Sequence, residues 1–212
     1  IAVTIDWWGM SMRDVGGVID GLVTRPSEAM EFTERLHQGM MNWLVLSHVL
    51  RTQFADLPEF QNGSQQLLDP NEVHYIGISQ GHILGGTMVA LNPDFKRSVF
   101  QVGGAGYAHM MFRAAPFEPF LELMAYGLED PLDRLKYAAT SQRHMDPIDP
   151  SAYAPYMYER PFEGSPADRQ VLLQLGAADT SVPEFTGMLH AKMLKAGLMM
   201  PSAVDVWGVE EY

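Results

Sequence analysis

The sequence predicts an α/β fold, a mostly parallel sheet with helices on both faces, from three observations. A β-prone apolar run of Val73, Tyr75, Ile76 and Ile78 ends in Gly77-Ile78-Ser79-Gln80-Gly81 and passes at once into residues that continue as a helix. Two further strand-like runs, 97–102 and 169–175, close in glycine-containing turns. The second is followed by a helical stretch at 184–195. Strands that alternate with helices pair in parallel, because each return to the sheet needs a crossover.

Taken in order, Ile1-Ala2-Val3-Thr4-Ile5 reads as a buried strand. It runs into Asp6-Trp7-Trp8-Gly9-Met10-Ser11, which is turn chemistry with two adjacent tryptophans, and Trp7 is assigned to a pocket wall. Gly16-Gly17 and Pro26 punctuate an irregular connection over 12–26. A long helix follows to about Phe54, with Ser27 as N-cap, Glu28 and Glu31 in its first turn, and Met30, Leu36, Met40 and Leu50 near helical spacing. His37 and His48 lack a partner at fixed spacing and read as packing or surface residues. Pro58, Asn62-Gly63-Ser64 and Asp69-Pro70-Asn71 form a loop into the central strand.

After Ser79 the helix runs to about Leu91, where Asn92-Pro93-Asp94 stops it, and Gly85-Gly86 allow close approach to the sheet. The glycine-rich 103–106 lacks both the Lys-Ser/Thr of a P-loop and dinucleotide-site spacing. Residues 107–166 break the alternation with eight prolines and with Met110, Met111, Met124, Met145 and Met157 among short amphipathic segments. This reads as a cap inserted into a core formed by 1–106 and 167–212. Methionine-rich surfaces adapt to apolar ligands, and methionine also fills irregular cores. His109 and Met110, just past a strand's carboxyl end, are placed at the site mouth. Gly197 is the expected C-cap of the 184–195 helix, and 203–207 the final strand.

The formal net charge is −12, with 26 acidic and 14 basic residues and no Lys/Arg cluster, so nucleic acid is disfavoured as a partner. The absence of cysteine excludes disulfides, thiolate metal sites and a cysteine nucleophile. No apolar run reaches the length of a bilayer span. Because a strand-like run stands at each end, the chain is expected to be an internal piece of a longer protein.

Strand, G-x-S-x-G and helix in succession form a nucleophile-elbow hypothesis centred on Ser79. The flanking Gly77 and Gly81 are expected because a Cβ at either would collide in so tight a turn. A serine hydroxyl needs a base, and the base needs an orienting group. Asp179 follows another strand's end in Gly-x-x-Asp-x-x-Val-Pro. Alone it reads as a loop or cap residue; with Ser79 it takes the second place in a Ser…Asp…His order.

On Gly77–Gly81, on Asp179 with Val182-Pro183, and on the turn at 6–11, the chain resembles the α/β-hydrolase superfamily over nearly its whole length, nearest to bacterial esterase/lipase-like or peptidase-like hydrolases. The resemblance implies Ser79 as nucleophile, Asp179 as the acid, the backbone N–H of Gln80 as one oxyanion donor, and a cap at 107–166. It also implies a histidine after the last strand, where none follows His190, so the base is expected outside this sequence. His82 is expected to point away from the hydroxyl's attack side, and His190 to be structural. The expected activity is hydrolysis of a small hydrophobic ester, less readily an amide, without metal or organic cofactor. The alternative is a non-catalytic binding or interaction protein on the same fold.

Overall fold

The computed structural model describes residues 1–212 except Pro26, Ser27 and Ala29, with Leu22 described through its backbone alone. Three parallel strands, β3 (Tyr75–Ile78), β4 (Arg97–Gln101) and β5 (Gln170–Gln174), lie in sequence order, with Gly77 beside Phe100 and Phe100 beside Leu173. A separate antiparallel pair, β1 (Gln61–Asn62) and β2 (Gln65–Gln66), turns at Gly63, whose φ is +64°. The expected loop at 58–71 therefore contains a short hairpin.

The helices are α1 (Val15–Thr24), α2 (Phe32–Thr52), α3 (Gln80–Leu91), α4 (Tyr107–Met111), α5 (Glu118–Gly127), α6 (Pro131–Met145), α7 (Pro150–Tyr158) and α8 (Glu184–Met193). α2 begins later than the sequence predicts, after Glu31, and the expected cap Ser27 lies outside the described residues. α1 occupies part of the expected irregular connection. Its glycines lower helix propensity, but packing of the helix against α5 outweighs that preference.

Helices cover one face of the sheet among the described residues, not both. Tyr75, Gly77, Ser98 and Phe100 are buried beneath α3, whereas Ile76 and Ile78 on the opposite face are 64% and 61% exposed. The alternation along β3 is thus buried-exposed, although both sets are apolar. The runs at 1–5 and 203–207 are likewise not strands: residues 1–4 are exposed, and neither run pairs with a neighbour among the described residues. β-propensity marks a segment that fits a sheet, but without a partner's N–H and C=O groups it forms no ladder.

α3 is the centre of the core. Leu84, Met88 and Val89 are fully buried, and the helix packs along α7 as well as on β3 and β4. The last helix of the 107–166 block therefore belongs to the layer beneath the sheet. Gly85 approaches β3 so closely that a Cβ would lie 2.5 Å from the Tyr75 ring, while Gly86 instead faces Pro150 and His190. Arg169 secures the far end of α3, donating to the carbonyl oxygens of Asn92 and Phe95.

α8 ends differently from the expectation at Gly197. The left-handed residue is Lys195, φ +53°, and the Ala196 and Lys195 N–H groups close on the Ala191 and Lys192 carbonyls as in a Schellman motif. Gly197 serves another purpose, since a Cβ there would lie 2.8 Å from Tyr212. Lys195→Gly is expected to be more stable by about 0.5–1 kcal/mol than Lys195→Ala, which equally loses the ion pair to Glu159, because glycine carries no Cβ penalty at this φ. A Lys195→Gly urea midpoint no higher than that of Lys195→Ala would contradict that account.

Candidate active site

The site begins where β3 ends. Ser79 has φ +52° and ψ −114°, a backbone conformation rare for a residue with a Cβ. Its N–H donates to the Gln101 carbonyl at 2.8 Å, extending the β3–β4 ladder by one bond. Its carbonyl already accepts from the N–H groups of His82 and Ile83, the first turn of α3. One residue therefore ends a strand and starts a helix. Its hydroxyl makes no capping bond and lines a cavity.

The two glycines around Ser79 are not equivalent. At Gly77 a Cβ would lie 2.3 Å from the Gly81 carbonyl oxygen. At Gly81 the nearest atom, the Tyr75 hydroxyl oxygen, would be 3.6 Å away, which is ordinary contact. The expected steric need holds for Gly77 and not for Gly81. What Gly81 contributes is its carbonyl, which accepts from the Tyr75 hydroxyl at 2.6 Å. Burial pushes that phenol's pKa well up.

Ser79 is not alone in its conformation. Val102 and Ala178 also have positive φ, +45° and +56°. One such residue therefore stands past the carboxyl end of each of the three parallel strands, the edge where functional groups collect in open α/β sheets.

The cavity above Ser79 has a volume of about 340 Å³. Its walls are mainly apolar, including Phe32, Ile83, Met110, Phe120, Leu121 and Met124, and α1 and α5 form its roof. The Gly9–Ser11 turn supplies the polar side. Asp14 accepts from Gly9 N–H at 2.9 Å, Ser11 N–H at 3.0 Å and the Ser11 hydroxyl at 2.7 Å, with Arg35 at 3.1 Å from its other oxygen. Burial alone would raise the Asp14 pKa, but the Ser11 and Gly9 bonds together with Arg35 outweigh it, so the carboxylate is held ionised below its usual range.

Gln80 has two roles here. Its side chain donates to the Met10 carbonyl at 3.1 Å, tying the elbow to the 9–11 turn. Its backbone N–H, at the start of α3, has no acceptor among the described residues and belongs to a cavity-lining residue. Helix N-termini favour negative charge, so this is a suitable donor to an oxyanion.

Asp179 lies in the loop between β5 and α8. Its Oδ1 accepts from Ser181 N–H at 2.8 Å and Val182 N–H at 3.2 Å. Ser181 and Val182 line the cavity, and Asp179 is not among its lining residues. The Thr180 carbonyl accepts from Ala115 N–H at 2.9 Å, joining the loop between β5 and α8 to the 3-10 turn Ala115–Phe117 that leads into the roof.

The other assigned residues divide. Met110 is 1% exposed and lines the cavity. His109 is exposed on α4, and Trp7 lies outside the lining with its ring 5.4 Å from that of Trp43, against the core. His82 and His190 are fully buried and bonded to each other at 3.0 Å. Asp14 and the buried Asp149 are two residues that the sequence does not mark as belonging to a site. The spacing of Gly9, Ser11 and Asp14 is the one local signal for the first; for the second it is Asp149-Pro150, a capping acid followed by proline at the first helical position.

Among the described residues no group of three His, Asp or Glu side chains is placed to hold a metal ion, and no helix is long and apolar enough to cross a membrane. No family model, curated protein or solved structure matches this chain.

Proposed function

We propose that this chain carries the nucleophile and acid of a serine hydrolase of the α/β-hydrolase kind, acting on esters of hydrophobic acids or alcohols. The observation that carries the reading is the backbone of Ser79, strained between β3 and α3 with its hydroxyl uncapped on an apolar cavity. Such strain persists where the surrounding structure requires it, and it concentrates at functional sites. The roof of α1 and α5 acts as the cap, and it favours ester substrates without charge.

Ser79 Oγ attacks the ester carbonyl carbon, and its proton passes to a histidine from outside residues 1–212. His82 and His190 are sealed in the interior and His109 stands off the cavity lining, so none of them serves. Asp179 orients that base. The Gln80 N–H stabilises the oxyanion as it forms, the C–O bond to the alcohol breaks, and the base returns the proton to the leaving alcohol. Water then repeats the sequence on the acyl-enzyme and releases the acid.

The full-length protein is expected to take one fluorophosphonate label at Ser79 and to hydrolyse p-nitrophenyl esters of medium-chain acids. Ser79→Ala should abolish the label and lower the rate by about 10⁴-fold or more. Hydrolysis that survives this substitution overturns the assignment. A folded full-length protein whose Ser79 never takes the label favours the non-catalytic binding reading, since no histidine among the described residues lines the cavity.

A further inference from the structure

His82 stands three residues after Ser79 in α3, and His190 lies in α8, the helix that follows the Asp179 loop. Both rings are fully buried. Gly103, just past β4, donates its N–H to His82 Nδ1 at 3.0 Å, and His82 Nε2 lies 3.0 Å from His190 Nδ1. A backbone N–H can only donate. His82 Nδ1 is therefore the acceptor, its ring proton is on Nε2, and that proton is given to His190 Nδ1. His190 then carries its proton on Nε2, which has no partner among the described residues. The result is a one-way chain of neutral groups from the exit of β4, through α3, to α8.

The rings have no room to move. They stack on Phe100 at centroid distances of 5.1 and 5.9 Å. A Cβ on Gly103 would lie 2.5 Å from His82, and one on Gly86 would lie 2.9 Å from His190. Conformation, stacking and hydrogen bonds all hold the pair in one arrangement.

We propose that His82 and His190 are a positioning pair for the Ser79 site: their hydrogen bond fixes the helix that begins at Ser79 against the helix that follows the Asp179 loop, and acid opens it. The proposal rests on the reading of Ser79 as the nucleophile. Protonation has no tolerated form here. A proton on His82 Nδ1 meets the Gly103 N–H, and one on His190 Nδ1 meets the His82 Nε2–H. Burial, reinforced by the neighbouring His190, holds the His82 pKa well below its ordinary value. Burial lowers His190 to about 4, against the opposing pull of Asp149. Asp149, at the start of α7, is the charged group acting on His190; α3, β4 and the Gly103 turn present His82 no acid or base besides His190.

The sign follows from those directions. An unfolded histidine binds its proton near pH 6.5 and the folded pair does not, so the pair's contribution is complete above about pH 6.5 and is lost as pH falls toward 4. The test compares fluorophosphonate labelling rates at Ser79 in the full-length wild type, His190→Asn and His190→Leu. Asparagine keeps an acceptor at the place of Nδ1 and cannot be protonated. The catalytic base titrates in every variant and cancels in the ratio of rates.

The His190→Asn to wild-type ratio is expected near one at about pH 7.5, rising as pH falls through the His190 value of about 4, to about twofold there. His190→Leu, which offers no acceptor, should label about tenfold more slowly at neutral pH. A flat ratio, or wild-type labelling by folded His190→Leu, overturns the proposal. If a variant fails to fold, nitrogen NMR of the wild-type imidazoles decides. Two neutral rings protonated on Nε2 at about pH 6 support it, and a charged ring alongside full labelling sinks it. Absence of labelling in the wild type itself overturns the nucleophile reading instead.

Discussion

Gly77→Ala abolishes folding, or leaves a protein with most of its stability gone: that is the expected result where β3 meets the first turn of α3. The new Cβ would sit 2.3 Å from the Gly81 carbonyl oxygen, 2.5 Å from its carbonyl carbon and 2.8 Å from the Tyr75 ring. The first two are backbone atoms and cannot swing aside. β3 cannot retreat, because Gly77 lies beside Phe100 in the ladder to β4. The only relief is for α3 to leave the sheet, and α3 carries the fully buried Leu84, Met88 and Val89. Core overpacking costs about 1–3 kcal/mol where side chains can adjust; here a loss above about 4 kcal/mol is expected. Against a typical stability of about 5–15 kcal/mol, that is enough to collapse soluble yield. A wild-type urea midpoint for Gly77→Ala would show that the elbow is looser than the structure has it. Gly81→Ala is the matched control, with 3.6 Å of clearance.

The second large effect lies away from the serine. Asp149 is fully buried, yet no Lys or Arg side chain bonds to it among the described residues. Hydrogen bonds satisfy it instead. Its Oδ1 accepts from Gly106 N–H at 3.0 Å and Ser151 N–H at 2.8 Å, and its Oδ2 from Tyr107 N–H at 2.6 Å and the Gln142 amide at 3.0 Å. It caps α7 and pins the start of α4 at Gly106, whose φ is +84°. Asp149→Ala leaves the buried Gly106 and Tyr107 N–H groups without partners at about 1–3 kcal/mol each and removes the α7 cap, while Gln142 keeps its bond to Asp146, so a net loss of about 3–5 kcal/mol is expected. For a chain of this size that lowers the melting midpoint by about 10 °C. Asp149→Asn separates charge from shape: its amide hydrogens would face N–H groups, so it should lose most of the same stability. Calorimetry on the two variants checks both; an Asn variant with wild-type melting would refute the acceptor account. The consequence for the site is direct, because α4 carries Met110 into the cavity wall.

The parts of the molecule legible in the sequence are those whose cause is local. The turn from β3 into α3 is written in a dozen consecutive residues, so strand, serine and helix all fall where the pattern puts them, and α3 ends at Leu91 as Asn92-Pro93-Asp94 requires. Partnership was not legible. Among the described residues, 1–5 and 203–207 have β-prone composition but no neighbouring strand, and Ile76 and Ile78 have core-like side chains but no helix above them. Asp149 reaches Tyr107 across 42 positions, and His82 reaches His190 across 108. A pattern of apolar and polar residues has no register for such pairings. Of the site residues singled out by the sequence, Ser79, Gln80 and Met110 line the cavity, and Asp179 does not, although the loop that holds it contributes Ser181 and Val182 to the lining. Trp7 was drawn toward the pocket by its aromatic size alone, and that same size makes it a good neighbour for Trp43.

The three strained residues at the sheet's carboxyl edge bear on how this chain changes over generations. At Ser79, Val102 and Ala178 the backbone favours glycine. Strain of this type costs about 1–3 kcal/mol per residue, so random substitution filtered only for folding drifts toward glycine at all three. A lineage that keeps a hydroxyl at 79 does so against that drift. Within this fold, the forces that would make the protein sturdier and the one that keeps its serine pull in opposite directions at the same residue.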